Sequence, residues 1–152
     1  MKKLENSILR DIGTLSRAIH YLNDKSFREL ALQKGQFVYL TRVCENEGIS
    51  FKKLSELLKV DKTSTTKTIG KLIYAGFITK RQDEVDRREY QLYSTEAGRQ
   101  AYDAIIDKEN NDIEICFRGM SIADIRRIGT ALKTMSGNYE AQWIENKRGT
   151  IT

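Results

Sequence analysis

Apolar residues recur along much of the chain at three- and four-residue steps, the period of a helix with one buried face. Ile8, Leu9, Ile12, Leu15, Ile19 and Leu22 predict an amphipathic helix over about 5–24. Leu30, Ala31 and Leu32 follow, then Gly35 as a breaker. Phe37, Leu40, Val43 and Cys44 place a second helix over Gln36–Glu47, which Gly48 is suited to stop in the left-handed region. Ser50 can cap a short third helix with Phe51, Leu54, Leu57 and Leu58 turned inward. After the tight stretch Lys59–Lys62, Asp61 offers a side-chain oxygen to the first N–H groups of a fourth helix. Thr65, Ile69, Leu72 and Ile73 mark the buried stripe of that helix, and Gly76 ends it.

The period then changes. Phe77–Gln82 and Glu89–Tyr93 are β-compatible runs joined by the charged stretch 83–88, which predicts a hairpin with a long polar tip. Thr95 opens another helix, with Gly98 near its start, and Ala101, Ile105, Ile106, Ile113 and Ile115–Phe117 carry it to about Arg118. Gly119 breaks it, and Ser121 followed by Asp124 resembles a capping box with Asp in the usual place of Glu. Ile122, Ile125, Ile128, Leu132 and Met135 build the last helix; Gly137 interrupts its pattern, and Tyr139, Trp143 and Ile144 extend it. Beyond Lys147 the tail is expected to fray. The order is ααααββαα in one continuous domain: mainly α with a small β-hairpin.

Composition narrows the function. The 152 residues suit one domain that needs no staples, and Cys44 and Cys116 have no ligand-spaced partners, which argues against a disulfide scaffold or a zinc module. With His20 as the single histidine, a multi-His metal site is ruled out and a Ser-His-Asp triad could form around that residue alone. The carboxylates Asp107, Glu109, Asp112 and Glu114 scatter around a helix rather than converge. The expectation is therefore no catalytic residue, no metal and no cofactor. The N-terminus lacks the apolar core of a signal peptide, and no run approaches the ~18–20 apolar residues of a membrane span, so a cytoplasmic protein without a membrane partner is expected.

Charge placement says more than net charge. From Lys52 to Arg81 there are eight basic residues (Lys52, Lys53, Lys59, Lys62, Lys67, Lys71, Lys80 and Arg81) against Glu56 and Asp61. One fifth of the chain thus holds the whole basic excess of a sequence whose net charge is +5. Such clustering is the footprint of a polyanion-binding surface, because each neutralised phosphate releases condensed counterions; the plainer alternative is a solvated helix face.

Two helices joined by a short turn, the second basic and followed at once by a hairpin, describe a winged helix-turn-helix. A duplex major groove admits one α-helix, which needs an apolar stripe behind and short polar or basic side chains in front. Lys62, Thr63, Ser64, Thr66, Lys67 and Lys71 supply that front, away from Thr65, Ile69 and Leu72. Four threonines and a serine between Thr63 and Thr68 are poor helix formers, so groove contact explains them better than helix propensity does. At the hairpin tip, Arg87 and Arg88 can enter an adjacent minor groove, with Asp86 placed to orient one guanidinium. The rival class is a winged helix that docks on protein, which would leave Lys67, Lys71 and Arg88 without a role.

The ordered series Leu54–Val60, Thr63–Leu72, Gly76–Arg81, Asp86-Arg87-Arg88 and Thr95–Gly98 resembles the multiple antibiotic resistance regulator (MarR) family. Gln36-Phe37 through Ser50 resembles the helix before its helix-turn-helix, and Met120–Leu132 its last helix, so the likeness runs from about 30 to 140. Ser94 stands where the family usually has Leu, and Thr65 where an aliphatic residue is common. The resemblance implies a homodimeric regulator of transcription, usually a repressor, that reads a pseudo-palindrome in double-stranded DNA. It further implies that 1–34 and 96–147 form the dimerisation helices and 35–95 the winged DNA-binding lobe. Family members often take small anionic aromatic effectors, or oxidise a cysteine, in a cleft beside the DNA lobe. His20, Tyr21 and Arg42 are the candidates to line such a pocket, Arg42 as a carboxylate partner. Cys44, on the face of Leu40, reads as buried and inert, Cys116 as core filling, and Tyr139 with Trp143 as dimer packing.

Overall fold

Local signals account for most of the element boundaries. The structure, a computed structural model, describes residues 1–147, so the tail expected to fray lies outside the described residues. Helix α1 spans Ile8–Ser26, begun by the Asn6 side-chain oxygen, which accepts from the Ile8 N–H (3.2 Å), and by Asp11 in the first turn, an acid suited to the positive end of the helix dipole. A 3-10 turn over Phe27–Leu30 closes at Ala31, which adopts a left-handed φ of 60°. Gly35, at φ 72°, starts α2 (Gln36–Glu45) and donates its N–H to the Asp24 carboxylate of α1 at 2.7 Å.

Helix α2 stops two residues earlier than its pattern predicts, because the Asn46 side-chain amide turns back to the Arg42 carbonyl (2.8 Å). Gly48, at φ 83°, then turns the chain into a two-residue strand, β1 (Ile49–Ser50), that the sequence reading lacks. Ser50 also caps α3 (Phe51–Leu58), its hydroxyl accepting from the Lys53 N–H at 3.2 Å. Phe51, Leu54, Ser55 and Leu58 share the inner face of α3, and Leu57 does not: it is 48% exposed. At 100° per residue Leu57 falls on the flank of the stripe set by the other four.

Lys59, left-handed at φ 55°, turns the chain toward α4 (Lys62–Tyr74). The hairpin follows as β2 (Ile78–Gln82) and β3 (Tyr90–Ser94), antiparallel with Ile78 opposite Ser94 and Gln82 opposite Tyr90. Ile49 and Ser50 of β1 pair with Leu92 and Gln91, giving a three-stranded sheet in the order β1-β3-β2. The Thr95 hydroxyl accepts from the Gly98 N–H (3.0 Å) and opens α5 (Glu96–Cys116).

Two compact units divide the chain, Met1–Asn110 and the part from Asn111 onward. The first holds the core, in which Leu40, Val43, Leu54, Ile69, Leu72, Leu92 and Ile105 are fully sealed and Phe27, Phe37 and Ile78 nearly so. Phe27 and Phe37 meet with ring centroids 5.0 Å apart. Outside this core, α1 carries Ile8, Ile12, Leu15 and Leu22 as an exposed apolar stripe. The second unit contains α6 (Ile122–Lys147), which runs through Gly137 without a break. The Ser121 hydroxyl accepts from the Asp124 N–H (3.1 Å) and donates to the Asp124 carboxylate (2.6 Å), so this shortened box closes on the hydroxyl. Ile128, Leu132 and Tyr139 of α6 are exposed at helical spacing. Cys116, expected as core filling, is also exposed, since the buried positions of α5 are confined to Gly98, Ala101 and Ile105.

Candidate nucleic-acid interface

Helix α4 is anchored from behind and polar in front. Thr65, Ile69 and Leu72 have no exposed surface, and Ile73 is half-buried. The buried hydroxyl of Thr65 is satisfied by the Asp61 carbonyl at 3.0 Å, which explains how a polar residue fits an aliphatic slot. Asp61 is the N-cap, its carboxylate accepting from the Ser64 N–H (2.7 Å) and the Ser64 hydroxyl (2.6 Å). Those two bonds hold the Asp61 carboxyl below its ordinary range.

Lys62, Thr63, Ser64, Thr66, Lys67 and Lys71 all lie exposed, on one side of the anchored stripe. Lys71 does not extend freely: its ammonium donates to the side-chain oxygen of Gln33 at 3.1 Å. Gln33 is itself fixed, its N–H donating to the buried Gln36 side chain at 2.8 Å. Gln33 thus adds a polar edge from the loop before α2 to the α4 face, and the sequence carried no signal for it because nothing periodic links positions 33 and 71.

The wing presents Arg87 and Arg88 at an exposed tip. Asp86 accepts from the backbone N–H of Arg88 at 3.0 Å, so this carboxylate shapes the turn rather than orienting a guanidinium as expected. Asp83, to which no local pattern in the sequence points, accepts from the N–H groups of Val85 (2.8 Å) and Asp86 (2.9 Å) and from the Gln91 amide (2.6 Å). Those donors lower its pKa, the Asp86 and Val85 amides foremost. Along the strands, Lys80 lies 4.6 Å above the Tyr90 ring and Arg81 4.8 Å from the Tyr93 ring centre, contacts that hold both cations on the wing.

The candidate effector residues separate. His20 and Tyr21 line an open cavity of about 910 Å³ together with Arg17, Asp24, Arg28 and Lys34. His20 also sets its ring edge against Phe37, with centroids 5.5 Å apart. Arg42 is not part of that lining; it pairs with Glu45 one turn along α2 at 2.6 Å. Cys44 is half-buried beside the Gly98 carbonyl (3.9 Å), and burial pushes its thiol up to about 11. Such a thiol holds little of the nucleophilic thiolate at neutral pH.

This arrangement has counterparts among known proteins. Residues 32–90, from the loop before α2 to the start of β3, match the model of the MarR family. The HTH-type transcriptional regulator YybA of Bacillus subtilis is 35% identical over 144 residues, covering 95% of this chain and 96% of its own length. The chain belongs to the MarR family. Two solved structures agree with this MarR-family fold over nearly the whole chain. One is a MarR protein from Peptoclostridium difficile, 48% identical with a TM-score of 0.90 and 95% of each chain covered. The other is a MarR-family regulator from Listeria monocytogenes, solved with a 26mer DNA: 37% identical, TM-score 0.90, covering 98% of this chain and 97% of that one. In MarR-family terms α3 and α4 are the helix-turn-helix and β2–β3 the wing, and the protein is a transcriptional regulator, as its relatives are. Among the described residues no helix is long and apolar enough to cross a membrane.

Proposed function

We propose that this regulator is a cytoplasmic homodimeric repressor that reads a pseudo-palindromic operator, placing α4 of each protomer in successive major grooves and the wing tip in the adjoining minor groove. The observation that carries this reading is the two-sided character of α4: Thr65, Ile69 and Leu72 are sealed in the core while Lys62, Thr63, Ser64, Thr66, Lys67 and Lys71 are all exposed. A rigid back and a basic, hydroxyl-rich front are what base-edge and phosphate contacts require. Arg87 and Arg88 supply the minor-groove contact, with Asp86 setting the turn between the wing strands. That the similar regulator from Listeria monocytogenes was solved with a 26mer DNA supports duplex DNA as the ligand.

Dimerisation is supported by the apolar stripes that each unit leaves uncovered, Ile8, Ile12, Leu15 and Leu22 on α1 and Ile128, Leu132 and Tyr139 on α6. Solvated stripes of this length are unfavourable for a lone chain and are removed from water by a second copy. In the dimer the segments 1–34 and 96–147 associate, and the lobe 35–95 holds the DNA. The cavity at His20 and Tyr21, rimmed by Arg17, Arg28 and Lys34, fits a small anionic aromatic effector whose binding releases the operator.

The experiment is selection of duplexes from a random pool by the purified chain, followed by anisotropy titration across salt concentrations. Enrichment of an inverted repeat with half-sites one helical turn (~10 base pairs) apart, and a steep fall of affinity with salt, are expected. No enriched sequence, or a salt-independent interaction with a protein instead, would refute the reading. Sedimentation showing only protomers would remove the two-fold arrangement. A thermal-shift panel of benzoate-class acids tests the cavity, with the His20→Ala variant expected to lose any response.

A further inference from the structure

We infer that Asp83 is the positioning residue of the wing: its carboxylate latches the tip in the conformation that presents Arg87 and Arg88, without touching DNA itself. The inference rests on the proposal that the wing enters a DNA groove. Three donors converge on this one side chain. The amides of Val85 and Asp86 bond to one oxygen at 2.8 and 2.9 Å, which folds the tip back over the end of β2. The other oxygen accepts from the Gln91 amide at 2.6 Å, which ties the tip to β3.

The tie continues into the sheet. Gln91 accepts from the Tyr93 hydroxyl at 2.7 Å, and the Arg81 guanidinium lies over the Tyr93 ring. Tyr93 in turn lies against Gly48, where a Cβ would meet its hydroxyl at 3.3 Å, so the chain of contacts ends at the turn between α2 and β1. Two further bonds close the hairpin end: the Asp83 N–H donates to the Glu89 carbonyl (3.0 Å) and the Gln82 amide to the Arg87 carbonyl (2.6 Å). A six-residue charged tip with no apolar anchor (Val85 is 97% exposed) would otherwise sample many conformations. Asp83 replaces the missing apolar anchor with charge-assisted hydrogen bonds. Preorganising the tip lowers the ordering cost paid on binding while leaving the number of phosphate contacts unchanged.

The consequence is a distinctive pattern of effects. Duplexes selected by the wild-type chain from a random pool serve as the probe, with anisotropy read over a salt series. Asp83→Ala is expected to weaken binding by about ten-fold with the salt dependence unchanged, because the contacts re-form once the tip is ordered. Asp83→Asn keeps one acceptor oxygen for the two amides but sets its own NH₂ toward that of Gln91, and should give an intermediate loss. Arg88→Ala should weaken binding and flatten the salt dependence, and adding Asp83→Ala to it should cost much less than ten-fold. In the free protein, the Val85 and Asp86 amides should exchange faster in Asp83→Ala while the melting temperature stays within a degree or two. Wild-type affinity in Asp83→Ala beside a weakened Arg88→Ala would overturn the latch and leave the wing reading standing. Unchanged amide exchange, a flattened salt dependence, or full additivity with Arg88→Ala would also overturn it. If Arg87→Ala and Arg88→Ala both bind like wild type, the wing reading fails and the latch fails with it.

Discussion

Gly98→Ala tests whether the start of α5 is packed as tightly as the structure shows. A Cβ built on Gly98 would lie 2.1 Å from the Phe77 carbonyl oxygen and 3.5 Å from a Leu40 methyl. That is roughly 1 Å short of an ordinary carbon–oxygen contact, and the atom in the way is backbone, which cannot swing aside. The same carbonyl accepts from the Thr95 N–H at 3.0 Å and the Thr95 hydroxyl at 3.2 Å, so displacing it loosens the start of α5 as well. Overpacking of this kind costs ~1–3 kcal/mol and a weakened hydrogen bond ~1 kcal/mol, while Ala in a helix recovers up to ~1 kcal/mol over Gly. The balance is a loss of about 1–3 kcal/mol, or roughly 2–12 °C in melting temperature for a chain of this size. Gly70→Ala is the matched control, since nothing lies within 4 Å of its added Cβ in the middle of α4. It should raise the melting temperature by a few degrees from helix propensity alone. The assay is calorimetric or circular-dichroism melting at fixed protein concentration, because association makes the midpoint concentration-dependent. A Gly98→Ala variant as stable as Gly70→Ala would refute the packing argument outright.

Three further outcomes follow from the interface. Lys67→Ala should weaken binding to a selected duplex by ~1–3 kcal/mol with relaxed preference at one base pair; an equal loss on every sequence, read by anisotropy, would make Lys67 a phosphate contact instead. The Asp61 carboxyl is held below its ordinary value, so its contribution to α4 is complete above about pH 4, the unfolded carboxylate value, and is lost as pH falls through the lower folded one. Acid melts should therefore show a drop in stability below pH 4 that is smaller in Asp61→Asn, and equal acid sensitivity in the two proteins would contradict the cap geometry. Cys44, pushed up to about 11 by burial, should resist alkylation at pH 7.5 and leave DNA affinity unchanged after mild peroxide; rapid labelling by iodoacetamide would show that the site opens.

What the sequence could settle by itself was whatever depends on neighbours a few residues apart. The stripe of Thr65, Ile69 and Leu72, the caps at Ser50 and Asp61 and the two strands of the wing are all governed by helical or strand period and by side chains reaching three residues along. The same locality made the basic front of α4 readable, since a face opposite a buried stripe must be exposed. The remainder needed the chain folded. Strand β1 has two residues and no period, and exists only because Leu92 and Gln91 of β3 lie beside it. Leu57 looks apolar enough for the core, but α3 is too short and its stripe too narrow to bury a fifth position. Which tip carboxylate organises the wing depends on where Gln91 returns on the opposite strand, so Asp83 rather than Asp86 holds the cross-strand bond. Gly98 is required by a carbonyl twenty-one residues earlier, and Lys71 meets Gln33 across thirty-eight. Contacts of that kind are selected by loop closure and packing of the whole lobe, and no window along the chain contains both partners.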